Sequence, residues 1–139
     1  MQRLLEFSQH HYYLVGLAAL LLVALAVDEA LRRLRKYKEL GPAQSVLLIN
    51  KGAGVLDLRA QAEFSAGHIM NARNIPLAEL DSRAGELEKF RGQPLLIYCK
   101  SGSDAATAAA RLAKKGFELT VLKGGIAAWQ QEQLPLERG

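Results

Sequence analysis

The chain is poor in the residues that build covalent or metal scaffolds. One cysteine, Cys99, stands alone among 139 residues, so no internal disulfide can form and no Cys-rich zinc or iron–sulfur centre can be assembled. A solitary thiol suits a reducing compartment. Three histidines, two of them at His10 and His11, make no ligand cluster, so neither a metal nor a cofactor is implied. The sequence has no GxGxxG or Walker pattern, no internal repeat and no low-complexity tract. An excess of one charge is also missing: six Lys/Arg face four Asp/Glu in residues 1–40, and twelve face ten beyond them. A body this close to neutral makes nucleic acid a poor partner. The length allows one core and excludes a second full domain.

What is present is unevenly placed. Half of the residues are hydrophobic, and 21 consecutive positions between Glu6 and Asp28 carry no Asp, Glu, Lys or Arg, the densest part being YYLVGLAALLLVALAV at 12–27. At about 1.5 Å per residue the run reaches about 30 Å, one bilayer core. A cleaved signal peptide would need more basic character than Arg3 supplies, and a buried core helix would be shorter and less uniformly apolar. A transmembrane helix is therefore expected, with Tyr12, Tyr13, His10 and His11 at its interface. Arg32, Arg33, Arg35, Lys36 and Lys38 follow the run, against Arg3 alone before it. The positive-inside rule places the C-terminal body in the cytoplasm. Residues 9–38 are expected to meet lipid, the cations drawing anionic headgroups at about 1 kcal/mol each. ALRRLRKYKEL carries the helical pattern onward to Gly41-Pro42. The expected organisation is an anchor over 1–30, a basic helical stalk over 31–40 and a domain over 41–137.

In the body, short apolar runs alternate with helical stretches, the mark of an α/β domain with a parallel sheet. VLDL at 55–58, PLLIY at 94–98 and LTVL at 119–122 read as buried strands. Residues 105–116 read as an alanine-rich helix stopped by Gly116. VLLI at 46–49 stays ambiguous: propensity says strand, whereas Pro42 and the NKGAG turn suit a short helix. The segment around Leu134-Pro135 either packs back or frays.

IYCKSGSDAATAAARL places Cys99 at the C-terminal end of a strand, before a small polar loop and a helix. Ligands of open α/β sheets bind at that edge. Backbone N–H groups and a helix N-terminus there favour an anion such as a thiolate. The alternative is an apolar filler, a common fate of cysteine.

Three blocks extend this reading: VLDLRAQAEFSAGHIMNARNIP at 55–76, CKSGSD at 99–104 and LKGGIAAW at 122–129. In this order and spacing the sequence resembles the rhodanese-like domain family over residues 40–137, and in particular its membrane-anchored single-domain members in bacteria. The resemblance implies a five-stranded parallel sheet with helices on both faces, and it assigns VLLI to a helix. It implies that Cys99 accepts a sulfane sulfur as a persulfide and passes it on, with the backbone of Lys100, Ser101, Gly102, Ser103 and Asp104 cradling the charge. Asp57, Arg59, Glu63 and His68 match blocks whose usual role is to hold loops near the pocket. Gly124 and Gly125 match a close-approach turn, with Trp129 behind it. Related phosphatases use a longer loop ending in an arginine; here the next residue is Ala105. The inner membrane of a bacterium is the implied location, single-pass, with the domain in the cytoplasm.

The sequence also departs from the family. Thiosulfate-using members commonly carry a cation at the sixth loop position, where this chain has Asp104. A carboxylate about 8 Å from the sulfur costs a thiolate about 2 kcal/mol at an effective dielectric near 20, and twice that for a dianion. Poor thiosulfate activity is expected, while Ser103 or Asp104 would also cap the helix. Two functions follow. One is a sulfurtransferase or sulfur carrier served by a small sulfane-sulfur donor or a persulfide protein. The other is a weak or inactive module that recruits membrane-protein partners.

Overall fold

A computed structural model describes residues 11–139. Arg3, Glu6 and His10, used above for topology and the interface, lie outside the described residues. The chain divides at Arg35 into two compact units.

The first unit is helix α1, Tyr12–Leu34, 23 residues long, or about 35 Å. It is long and apolar enough to cross a membrane, and every one of its side chains is exposed. Its charges begin where the apolar run stops, as ion pairs Arg32–Asp28 at 2.8 Å and Arg33–Glu29 at 2.9 Å. The helix ends when Arg35 turns extended, ψ 130°.

The expected helical stalk over 31–40 is corrected here. Helix α1 stops at Leu34, and Lys38–Leu40 is strand β1, paired in parallel with residues 120–122. Tyr37 packs against the core of the second unit. Helical periodicity is a local signal, and the unpaired edge of a neighbouring strand offers these backbone groups ladder bonds that outweigh it. The domain thus takes in residues that the sequence reading had given to the stalk.

The second unit continues with α2 (Pro42–Asn50), β2 (Gly54–Asp57), α3 (Gln61–Ala66), β3 (Ala72–Asn74), β4 (Leu95–Tyr98), α4 (Ser103–Ala113), β5 (Leu119–Leu122) and α5 (Gly125–Gln131). Two 3₁₀ segments, Leu77–Glu79 and Ala84–Phe90, connect β3 to β4. The five strands form one parallel sheet in the order β1-β5-β4-β2-β3. VLLI lies inside α2, which opens on Pro42 after an extended Gly41. The helix expected over 105–116 starts two residues earlier, and Gly116 follows it with φ +88°.

Alternation along the strands builds two apolar layers. Leu56, Leu95, Ile97, Leu119 and Val121 face α4, where Ala105, Ala108, Ala109 and Leu112 present a buried stripe. Val55, Leu96, Tyr98 and Leu122 face the other way, against Ile126 and Trp129 of α5 and Val46 and Ile49 of α2. Leu134 and Leu136 pack onto this second layer, and His68 and Glu137 exchange backbone bonds of 2.8 and 2.7 Å. The C-terminal segment therefore packs back. Helices on both faces bury the sheet and bring the strands' C-terminal ends together at one edge, where β4 delivers Cys99.

Candidate active site

Cys99 follows the last residue of β4 and keeps the strand's alternation. Leu95, Ile97 and Cys99 share the face covered by α4, and Cys99 is 3% exposed. The chain then reverses into α4 through Gly102, whose φ of +107° is open chiefly to glycine. That turn aims the Gly102 N–H at the Cys99 sulfur, N···Sγ 2.9 Å. The sulfur therefore has a backbone donor at the N-terminus of an 11-residue helix, both of which favour negative charge on it.

A second turn supports the loop from the side. Gly125, at φ +61°, lies so close that a Cβ there would sit 2.5 Å from the Cys99 carbonyl oxygen and 2.6 Å from that of Lys100. This closeness lets the N–H of Ile126 donate to Cys99 O at 2.9 Å and that of Ala127 to Lys100 O at 3.3 Å. Trp129 is buried behind the turn and donates from Nε1 to Pro135 O at 3.1 Å.

Of the residues expected to cradle the sulfur, Gly102 is half-buried, while Lys100, Ser101, Ser103 and Asp104 are exposed. The expected cap is corrected: Gly102 is the N-cap of α4 and makes no side-chain bond, while Ser103 and Asp104 already lie in the first turn. Ala105, the residue after the six-residue loop, lies in the first turn of α4 and is fully buried in the layer between that helix and the sheet.

Asp57, fully buried, lies opposite Tyr98 across the β2–β4 pairing. It accepts the Tyr98 hydroxyl at 2.6 Å, the Arg59 backbone N–H at 2.8 Å and the Arg59 guanidinium at 3.0–3.2 Å. Arg59 donates onward to Gly67 O at 2.5 Å, and Asn74 donates to Arg59 O at 2.8 Å. The Tyr98 hydroxyl also accepts the Ile69 N–H at 3.1 Å. Burial first, and the Asp57 carboxylate second, push the Tyr98 hydroxyl far above the ordinary tyrosine value, so it stays protonated and donates. His68 is buried, stacks on Phe64 with ring centroids 3.8 Å apart, and has Nδ1 2.8 Å from Phe64 O and Nε2 3.6 Å from Glu137. Glu63 is exposed, and its carboxylate has no hydrogen bond or ion pair among the described residues.

Tyr98 and Asn74 were missed in the sequence. The signal for Tyr98 was available: a phenol inside an apolar strand needs a partner for its hydroxyl, and Asp57 at the end of another strand was the obvious acceptor.

The rhodanese-like domain model matches residues 42–132. Over its full length the chain is 37% identical to the YibN protein of Escherichia coli K12, covering 99% of that protein. It is 31% identical over 98 residues to the thiosulfate sulfurtransferase GlpE of Pseudomonas fluorescens, covering 68% of this chain and 86% of GlpE. Among solved structures, a rhodanese-related protein of Thermoplasma volcanium superposes with a TM-score of 0.68 at 32% identity, over 73% of this chain and 98% of that one. A match spanning four of the five strands and the Cys99 loop, with a relative that aligns from end to end, leads to one conclusion: the chain belongs to the rhodanese-like domain family.

Proposed function

We propose that the protein is a membrane-anchored sulfurtransferase or sulfur carrier that works through Cys99. The Cys99 thiolate attacks the outer sulfur of a sulfane donor. A new S–S bond forms at Cys99, and the donor's inner sulfur leaves with the electron pair of the broken bond. An acceptor thiolate then attacks the outer sulfur of the Cys99 persulfide, and Cys99 departs as thiolate. The observation that carries this reading is the Gly102 N–H donating to Sγ at 2.9 Å, at the mouth of α4. The same donor and helix terminus favour the anion at the start of the cycle and again when Cys99 leaves.

Lys100, exposed beside Cys99, gives the loop one cation for an anionic donor. Similarity to GlpE makes thiosulfate the first donor to test, and Asp104 makes it a poor one. In this reading helix α1 is the anchor, and the cations after it support a domain on the cytoplasmic face of an inner membrane. The test is intact-mass analysis of the full chain in non-ionic detergent after incubation with thiosulfate, with glutathione persulfide, and with mercaptopyruvate plus its transferase. Gain of one sulfur atom, lost in Cys99→Ser, is expected from at least one donor. No gain from any of them, with the thiol reduced and Trp129 still buried by fluorescence, overturns the reading.

One observation favours a second reading. Asp104 is exposed in the first turn of α4, where it repels a dianionic donor. In a binding module tethered by α1, Cys99→Ser leaves the cellular function unaltered and loss of residues 1–30 abolishes it. A sulfur carrier shows a complete loss in Cys99→Ser.

A further inference from the structure

We propose that Lys123, on the turn after β5, recognises the anionic end of the sulfur donor and supplies the positive charge that Asp104 withholds. The proposal rests on the sulfur-transfer reading above and names the determinant of donor charge for that site. Strands β4 and β5 pair as Leu95 with Leu119, Leu96 with Thr120 and Ile97 with Val121. Carried two positions on, past the ends of both strands, that register would set Lys123 beside Cys99. Adjacent parallel strands lie about 4.8 Å apart.

Alternation selects the face. Leu95, Ile97 and Cys99 share the α4 layer with Leu119 and Val121, and by the two-residue period of a strand Lys123, the first residue after β5, would fall on the same side. The position is held from two sides. The Lys123 N–H donates to Leu40 O at 2.8 Å, and Ile126 N–H holds the following turn against Cys99 O at 2.9 Å. A Cβ on Gly102 would lie 3.7 Å from the Gly124 nitrogen, so the Lys123 turn and the cysteine loop are in contact. Lys123 is exposed, and among the described residues Lys100, Asp104 and Lys123 enter no ion pair. The ammonium group therefore keeps its charge free for a ligand. Its flexible stem suits a carboxylate, sulfonate or thiosulfonate held next to the reacting sulfur.

A readout independent of sulfur transfer separates this inference from the function it refines. Cys99 of the full chain in non-ionic detergent is alkylated with iodoacetate and with iodoacetamide, and the ratio of the two rates reports the charge felt by an anionic reagent at the sulfur. Lys123→Ala lowers the ratio about threefold and Lys123→Glu about tenfold, both less so as salt is added. Lys123→Arg keeps it. Lys51→Ala, an exposed cation beyond α2 at the other edge of the sheet, leaves it unchanged. A ratio indifferent to Lys123, an equal drop in Lys51→Ala, or a thiol that reacts with neither reagent overturns the proposal. Failure of every donor to add sulfur, with the ratio still responding to Lys123, sinks the transfer reading instead.

Discussion

Tyr98 and Cys99 are neighbours in the chain, yet the polar groups around them are used in opposite ways. Beneath Tyr98, the side chains of Asp57, Arg59, Asn74 and Tyr98 bond mostly to one another: Asp57 is fully buried and Arg59 nearly so, and Arg59 also donates to Gly67 O. Around Cys99, a backbone N–H meets a bare sulfur, while Lys100, Asp104 and Lys123 stay exposed and unpaired among the described residues. A network bonded largely to itself stiffens the exits of β2 and β4. An open one keeps donors and charge available to something that is not part of the chain. Within one sheet edge, the paired groups form the support and the unpaired ones surround the candidate site.

The largest effect is expected where support and chemistry touch. Gly125→Ala drives a Cβ to 2.5 Å from a backbone oxygen at a left-handed φ, which combines overpacking with strain and costs about 3 kcal/mol or more. Urea denaturation followed by Trp129 fluorescence measures it, and a loss under about 1 kcal/mol would mean that the loop yields freely. Next is the self-bonded network. Asp57→Ala leaves the Arg59 guanidinium buried without its carboxylate, at a cost of about 3 kcal/mol. If stability is unchanged, the network is not bonded to itself.

Tyr98→Phe removes one buried bond and costs about 1–2 kcal/mol, since Asp57 loses a donor. It also has a pH signature. With the folded-state value of Tyr98 raised, its contribution is fully present below about pH 10 and is lost as pH rises beyond that toward the raised value. Wild-type stability should therefore fall more steeply above pH 10 than that of Tyr98→Phe; parallel profiles would place the hydroxyl outside the network. On the open side, Asp104→Arg should raise thiosulfate turnover about fivefold and change stability by no more than about 1 kcal/mol. Turnover that does not rise removes the electrostatic argument for a poor thiosulfate donor.

The smallest effect is expected at the surface counterpart of Asp57. Hydrogen bonds from Arg83 and then Arg73 hold the Glu86 carboxyl down to about 2. Its contribution is fully present above the ordinary carboxylate range and is lost progressively as pH falls from that range through about 2. Carboxyl NMR through an acid titration checks this, and a Glu86 that titrates near 4.5 would show the pairs to be transient.

Legibility in the sequence followed burial. β2, β4 and β5 announce themselves as GVLD, LLIY and LTVL, buried at every position. The two strands that went unread, KEL and ARN, are the edges of the sheet. An edge strand lacks one neighbour and keeps polar side chains, so it carries no apolar period to read. VLLI is ambiguous in the residues alone for a related reason: four apolar residues suit strand or helix, and the helix that the family resemblance implies is the one found, opening on Pro42 after an extended Gly41. At the site, Cys99 and its loop were legible because residue type and chain order suffice to place a thiol between a strand and a helix. The capping role given to Ser103 or Asp104 was not, because the N-cap position depends on where Gly102 turns.

By itself, the sequence determined what composition and short-range order can encode. It specified one apolar helix free of charge over 12–27, a parallel α/β body without disulfide or metal cluster, and a lone cysteine at a strand end. These are decided by the number and spacing of groups that water or backbone sterics act on locally. Only the tertiary structure decided which distant groups meet: Asp57 with Tyr98 across 41 residues, the Gly125 turn against Cys99 and β1 against β5. Those contacts are set by sheet order and register, which arise from the joint pairing of all five strands around three buried central ones and have no signature in any one segment.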